Sequence, residues 1–185
     1  MAAYPRYYFQ NKTILLRLWD PQDAASAYLD GQDSAAMAAM YQEMTLPPQK
    51  KHPDPSGVSA EHSPAVPAFT ITALDGSYLG QIHFSHVNER HGTFSLKLFI
   101  TNEQRRKGYG KAAMELLLKY AFAERRLHKF EGCCLADNTE AAALLCSLGC
   151  QLEGTSRECA FLNGQYHDRL LFGLTADEFF AISKQ

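Results

Sequence analysis

The sequence predicts an α/β (α+β) fold in which a central mixed, largely antiparallel sheet is flanked by helices. Three observations carry this expectation. Strand-like runs, helical runs and hairpins alternate along the chain. The dipeptides Asp75-Gly76 and Asn163-Gly164 sit between β-rich segments, where they close hairpins. Residues 94–112 pass from a β-branched and aromatic run, through a basic loop with two glycines, into a long apolar helical pattern.

In chain order, Thr13–Leu18 reads as a first strand. Asp20-Pro21 suits an N-cap and first helical position, opening a helix to about Leu29 that Gly31 breaks. Asp33-Ser34 caps a second helix, rich in alanine and methionine, running to about Met44. Its Met37, Met40 and Met44 lie at helical spacing and suit packing onto a sheet, or an adaptable cleft wall. Residues 45–67 hold six of the eight prolines and read as a loop, either a lid over an acceptor site or a solvated insertion. A meander follows, with strands at 69–74, 78–87 and 93–100 and a turn near Arg90–Gly92. The helix from Gly108 to about Arg126 is apolar almost all round, and only Lys111, Glu115 and Lys119 form a polar stripe, so it must be packed on most sides. Lys129–Ala136 is the next strand. Asp137-Asn138 caps a short helix that Gly149 ends. Arg157–Leu162 and Gln165–Leu174 close the chain as a hairpin.

The chain has 185 residues, 46% apolar and 21% charged, with net charge −2, which fits one domain with a substantial core. That balance gives no reason to expect a nucleic acid or an anionic membrane as partner. No apolar run approaches the ~20 residues of a membrane span, and the N-terminus lacks a signal-peptide pattern, so a cytoplasmic address is expected. Five cysteines without a secretory signal fit reduced thiols, packed mostly as small hydrophobes. His83, His86 and His91 invite a metal, yet residues three apart along a strand face opposite sides, so His83 and His86 cannot chelate together without a bulge. No metal is expected.

The chemistry concentrates at 105–111. Gly108 and Gly110 carry no Cβ and let the backbone approach a ligand. The first N–H groups of the following helix have no intrahelical partner, which suits a phosphate. Arg105, Arg106, Lys107 and Lys111 add charge. A P-loop is excluded because Ala112, not Ser or Thr, follows Lys111, and the dinucleotide fingerprint needs a third glycine. The residues alone thus describe a strand–loop–helix anion site, or a glycine-containing turn with solvated charges.

Arg105-x-x-Gly108-x-Gly110 after a strand resembles the acyl-CoA loop of the GNAT N-acetyltransferase superfamily. Tyr120-Ala121-Phe122, Leu127-His128-Lys129, Asn138-x-x-Ala141, Leu148-Gly149 and Glu153-Gly154 continue the likeness in order. The succession is similar to the branch of ribosomal-protein N-terminal (RimJ/RimL-like) and spermidine acetyltransferases, densely from about Leu96 to Glu178 and thinly before Phe69. The resemblance implies a GNAT fold whose strands ending at Ile100 and starting at Lys129 splay apart and hold acyl-CoA. Main chain at Leu98, Phe99 and Ile100 would meet pantetheine. The loop Arg105, Arg106, Lys107, Gly108, Tyr109, Gly110 and Lys111 would hold pyrophosphate, and Asn138 would reach the pantetheine arm.

The implied activity is acetyl transfer from acetyl-CoA to a primary amine, foremost a peptide or protein α-amino group, by a monomer or homodimer. A small amine such as a polyamine or antibiotic is the alternative acceptor, and a non-catalytic acyl-CoA-binding module the alternative class. Acyl transfer to an amine needs a neutral nucleophile and a proton for the leaving thiolate. Two positions depart from relatives: Leu145 stands where the polyamine branch often has a general-acid tyrosine, and Phe94-Ser95 where many relatives have a glutamate. Glu89, His83 and Tyr166 are therefore the catalytic candidates. His86 is a further possible base, Cys146 is an acid only if its helix rotates, and Asp168 suits a structural role.

Overall fold

The computed structural model describes residues 8–42 and 67–182. In chain order these form β1 (Ile14–Leu18), α1 (Ala24–Asp30), α2 (Ser34–Tyr41), β2 (Ala68–Ala73), β3 (Tyr78–Asn88), β4 (Thr93–Ile100), α3 (Tyr109–Ala123), β5 (Lys129–Leu135), α4 (Thr139–Ser147), β6 (Gln151–Leu162), β7 (Gln165–Thr175) and α5 (Ala176–Ile182), with short 3-10 turns before α1 and α3. Seven strands make one sheet in the order β1-β2-β3-β4-β5-β7-β6. Every neighbouring pair is antiparallel except β4 with β5, which is parallel. A crossover between parallel strands needs a helix-length connection, and α3 supplies it.

The core forms where α3 lies on the sheet. Ala113, Leu117, Leu118 and Ala121 are fully buried there. Phe94 of β4 meets Phe122 of α3 edge to face at 5.4 Å, and Phe179 of α5 continues the stack at 5.4 Å from Phe122. Each buried leucine or phenylalanine among these contributes roughly 1.5–3 kcal/mol. On the opposite face a smaller cluster packs Ala38 of α2 with Leu135, Ala160 and Leu162. The start of α1 is fixed by charge: Asp23, 3% exposed, takes both guanidinium ends of Arg17 at 2.6 and 2.8 Å and the Thr70 hydroxyl at 2.8 Å.

Several boundaries differ from expectation. Helix α2 ends at Tyr41, because Gln42 turns left-handed (φ 59°) and its amide donates to Cys133 Sγ at 3.3 Å. Helix α3 ends at Ala123, where Arg125 leaves to lie over the Phe84 ring at 5.1 Å. Strand β6 starts six residues before Arg157, at Gln151. The added stretch borders the sheet's edge with most side chains exposed, so it carries no burial alternation to read. Residues 45–66 of the proline-rich loop lie outside the described residues.

The expectation for the histidines also changes. The β3–β4 register runs His83↔Lys97, Phe84↔Leu96, then His86↔Ser95, so Ser85 is a β-bulge. The bulge brings His86 onto the face of His83, since Ser95 and Lys97 share a face. Among the described residues no group of three His, Cys, Asp or Glu side chains is placed to hold a metal ion. No described helix is long and apolar enough to cross a membrane.

Candidate active site

Strands β4 and β5 pair at two positions only, Thr93↔Lys129 and Phe94↔Phe130, and then part. Among the described residues, the β5-facing edge of β4 has no strand partner beyond Phe94. Thr101 N and Oγ1 both donate to Leu79 O of β3, at 3.0 and 2.8 Å. Strand alternation therefore turns the polar main chain of Phe99 toward β3 and that of Leu98 and Ile100 toward the gap.

A cavity of about 680 Å³ fills this gap. Leu96–Ile100 line it from β4, and Phe130, Gly132, Cys133 and Cys134 line it from β5. Its mouth is made by Arg105, Arg106, Gly108, Tyr109, Gly110 and Lys111, its floor by Met114 and α4, and its third side by Ala36, Ala39 and Met40 of α2. The aliphatic and alanine-rich lining suits an apolar arm, and the mouth suits an anion.

The mouth is built by backbone. Arg106 (φ 62°) and Gly108 (φ 85°) are both left-handed, so successive N–H groups curve around one concavity that opens α3. Gly108 needs its conformational freedom there, because L side chains disfavour that φ. Gly110 is closely packed: a Cβ would stand 3.2 Å from Leu98 Cδ2, which would have to give slightly, and 3.7 Å from Ile100 Cγ1, an ordinary contact.

The loop cations have different situations. Lys107 donates to Gln104 Oε1 at 2.9 Å, and Lys111 is 3.9 Å from Glu115. Arg106 reaches across the mouth to Glu140 of α4, and its guanidinium holds the Glu140 carboxyl below the usual carboxylate range. Arg105 turns inward, where Nε donates to Ile100 O at 2.9 Å and Nη2 pairs with Asp33 Oδ2 at 3.0 Å. Asn138 caps α4 by accepting from Ala141 N at 3.0 Å while also lining the cavity.

Of the catalytic candidates, none is among the described lining residues. Glu89 pairs with Arg125 at the β3–β4 turn. Tyr166 lies at the β6–β7 turn, 67% exposed and 5.0 Å from the Phe161 ring. His83 is buried on the α2 side of the sheet opposite Lys97.

Two features were not read from sequence. Glu131 follows Phe130 where the strands part and lies on the opposite face from it, beside the Ser95 level of β4; it is exposed and has no described partner. Its register partner is Gly173, where the Glu153 carboxylate, paired with Lys129, fills the place of the missing side chain. Asp30 ends α1 at 6% exposure and accepts from Tyr78 Oη at 2.7 Å, while Gln81 Nε2 donates to Tyr78 Oη at 3.0 Å. Burial pushes the Asp30 carboxyl up to about 6, against the pull of the Tyr78 bond and the Arg105 charge. Both depend on long-range register or burial, which no local motif signals.

A parted parallel strand pair, an anion cradle at the start of the next helix and an apolar slot between them make a site suited to an acyl-CoA. The family profile described as the acetyltransferase (GNAT) domain matches residues 13–151, and the chain belongs to that family. It is 25% identical over 182 residues to the Bacillus subtilis protein named "Putative ribosomal N-acetyltransferase YdaF", covering 91% of this chain and 94% of that one. It is 25% identical over 114 residues to spermidine N(1)-acetyltransferase of Escherichia coli K12, covering 62% and 61% of the two chains. The crystal structure of Vibrio cholerae spermidine N-acetyltransferase in complex with CoA and spermine shares the fold, with TM-score 0.80 at 21% identity over 92% of this chain and 99% of that one.

Proposed function

We propose that this acetyl-CoA-dependent N-acetyltransferase acts on the α-amino group of a peptide or protein. The observation that carries the reading is the chemistry of the described cavity lining. Its described lining holds one carboxylate, Glu140, which Arg106 already occupies, while Arg105 is paired with Asp33 and Lys111 lies near Glu115. No imidazole and no unpaired carboxylate is among those residues. With no base among those residues, an amine entering there arrives already neutral. An α-amine has a pKa near ~8, against ~10.4 for a lysine-type amine, so at pH 7 it is roughly two hundred times richer in the neutral form. The likeness to YdaF, named a putative ribosomal N-acetyltransferase, spans nearly both chains and favours a protein acceptor.

In this reading the pantetheine arm lies along the main chain of Leu98 and Ile100, and the Asn138 amide reaches it from α4. Amides from Arg106 to Lys111 hold the pyrophosphate. The neutral amine attacks the thioester carbonyl from the α2 side. The C–S bond breaks, the acetyl carbon forms a C–N bond, and the amine proton leaves by water toward Glu131 or solvent while the thiolate takes up a proton. Spermidine-type acceptors are the second reading, favoured by the spermidine acetyltransferase relatives. The cytoplasm is the proposed compartment. The test is an acceptor panel of short peptides with free or blocked α-amines, plus spermidine and spermine, each with acetyl-CoA and mass analysis of the product. Acetylation confined to free α-amines is expected; acetylspermidine as the principal product would replace the reading with the second.

A further inference from the structure

Arg105 occupies the place where a loop cation would face phosphate, yet its side chain is committed elsewhere. Nε donates to Ile100 O at 2.9 Å, Nη2 meets Asp33 Oδ2 at 3.0 Å, Nη1 reaches Asn102 Oδ1 at 3.4 Å, and the guanidinium lies over the Phe99 ring at 5.4 Å. Asp33 is equally committed: its other oxygen, Oδ1, caps α2 by accepting from Ala36 N at 3.0 Å. Both side chains are about one-third exposed, at 33% and 30%, so water screens the pair only in part.

One guanidinium thus joins the end of β4, which borders the acyl-CoA slot, to the first turn of α2. That helix presents Ala36, Ala39 and Met40 to the cavity. The preceding turn is held independently, through Asp30 to Tyr78 and Gln81 of β3. The α1–α2 corner is therefore anchored to the sheet, and the Arg105–Asp33 contact sets the start of α2 relative to the donor edge. Arginine suits this task because its planar fork can bond a carbonyl and a carboxylate together while stacking on an aromatic ring.

We propose that Arg105 and Asp33 are positioning residues for the acceptor: together they fix α2 as the acceptor-side wall against the thioester, and Arg105 contributes little to holding the pyrophosphate. This rests on the reading of the cavity as the acetyl-CoA site with the amine entering beside α2.

The test uses full-length protein and the variants Asp33→Asn, Arg105→Gln and the charge exchange Asp33→Arg with Arg105→Asp. Asp33→Asn keeps an oxygen for the α2 cap and removes the ion pair. Acetyl-CoA affinity is measured by calorimetry, and kcat and KM with a free-amine tetrapeptide, or with spermidine if the panel favours it. The expected result is a three- to tenfold fall in kcat/KM for the acceptor in both single variants, about the size of a contacting-pair coupling. Acetyl-CoA affinity should stay within about twofold, and the charge exchange should recover part of the loss. Asp33→Asn keeps the proposal testable if Arg105 variants fail to fold. Unchanged acceptor kinetics in Asp33→Asn would overturn the clamp alone. A tenfold or greater loss of acetyl-CoA affinity in Arg105→Gln, with acceptor KM unchanged, would make Arg105 a phosphate ligand instead. Failure of the unmodified protein to bind acetyl-CoA would remove the reading beneath it.

Discussion

Replacing Gly108 separates backbone conformation from space at the anion cradle. Gly108 sits at φ 85°, and a Cβ built there meets nothing within 4 Å. Its substitution cost is therefore conformational, about 1–2 kcal/mol for an L residue held left-handed. If the loop must hold that shape to bind, Gly108→Ala weakens acetyl-CoA by about five- to thirtyfold. Gly108→Asn should lose far less, since asparagine visits this region readily. Gly110 is the opposite case: it is helical, and its Cβ would press on Leu98 and touch Ile100. Gly110→Val overpacks that contact at about 1–3 kcal/mol and moves the first turn of α3 off the slot. The assay is calorimetric titration with acetyl-CoA, with thermal melts to confirm folding. A folded Gly108→Val protein that binds acetyl-CoA with unchanged affinity would refute the cradle as the pyrophosphate site.

Other outcomes follow from the same geometry. Glu140→Gln frees Arg106 at the mouth and should tighten acetyl-CoA by up to about fivefold at low salt, the scale of an exposed pair, as read by calorimetry. Cys134 and Cys150 are buried, and burial pushes their thiols up, to about 11 and about 12, so a thiol reagent should modify Cys133, Cys146 and Cys159 first. Acetyl-CoA should protect Cys133 alone of those three, since it lines the cavity, and peptide mapping reads this. Burial alone would raise the Asp23 carboxyl, but Arg17, Thr70 and the Asp20 N–H outweigh it and hold the pKa low. That stability is present above the unfolded value near ~3.9 and lost as pH falls through the folded one. Asp23→Ala should cost about 3 kcal/mol in urea unfolding at pH 7. Asp30 has the opposite sign: its folded pKa is raised, so stability falls as pH rises from about 4 to about 6, and Asp30→Asn should flatten that slope.

What could be read from sequence was local. Asp75-Gly76 and Asn163-Gly164 close hairpins through turn chemistry, and the α3 pattern demanded burial that Leu117 and Leu118 receive. Gly108 and Gly110 marked the cradle because their chemistry depends on a few neighbouring residues. What escaped was set by distant partners. The Ser85 bulge, which reverses the facing of His86, has no residue signature in the strand. The inward turn of Arg105 depends on Asp33, far away in the chain, whereas α2 as a cavity wall is one of the two readings its methionines allow, and packing decides it, with Met40 in the lining. Glu131 became visible only once the β4–β5 register fixed where the strands part.

The central claim, that the amine reaches the thioester already neutral, is tested most directly by kcat/KM against pH for two acceptors with different pKa values. An α-amino peptide should level near its own pKa of ~8, and a lysine-type amine should keep rising at unit slope toward ~10.4. Glu131→Gln should lower the plateau without moving the inflection. An inflection near 6–7 for both acceptors, abolished in His83→Ala or His86→Ala, would contradict the account and install a histidine base.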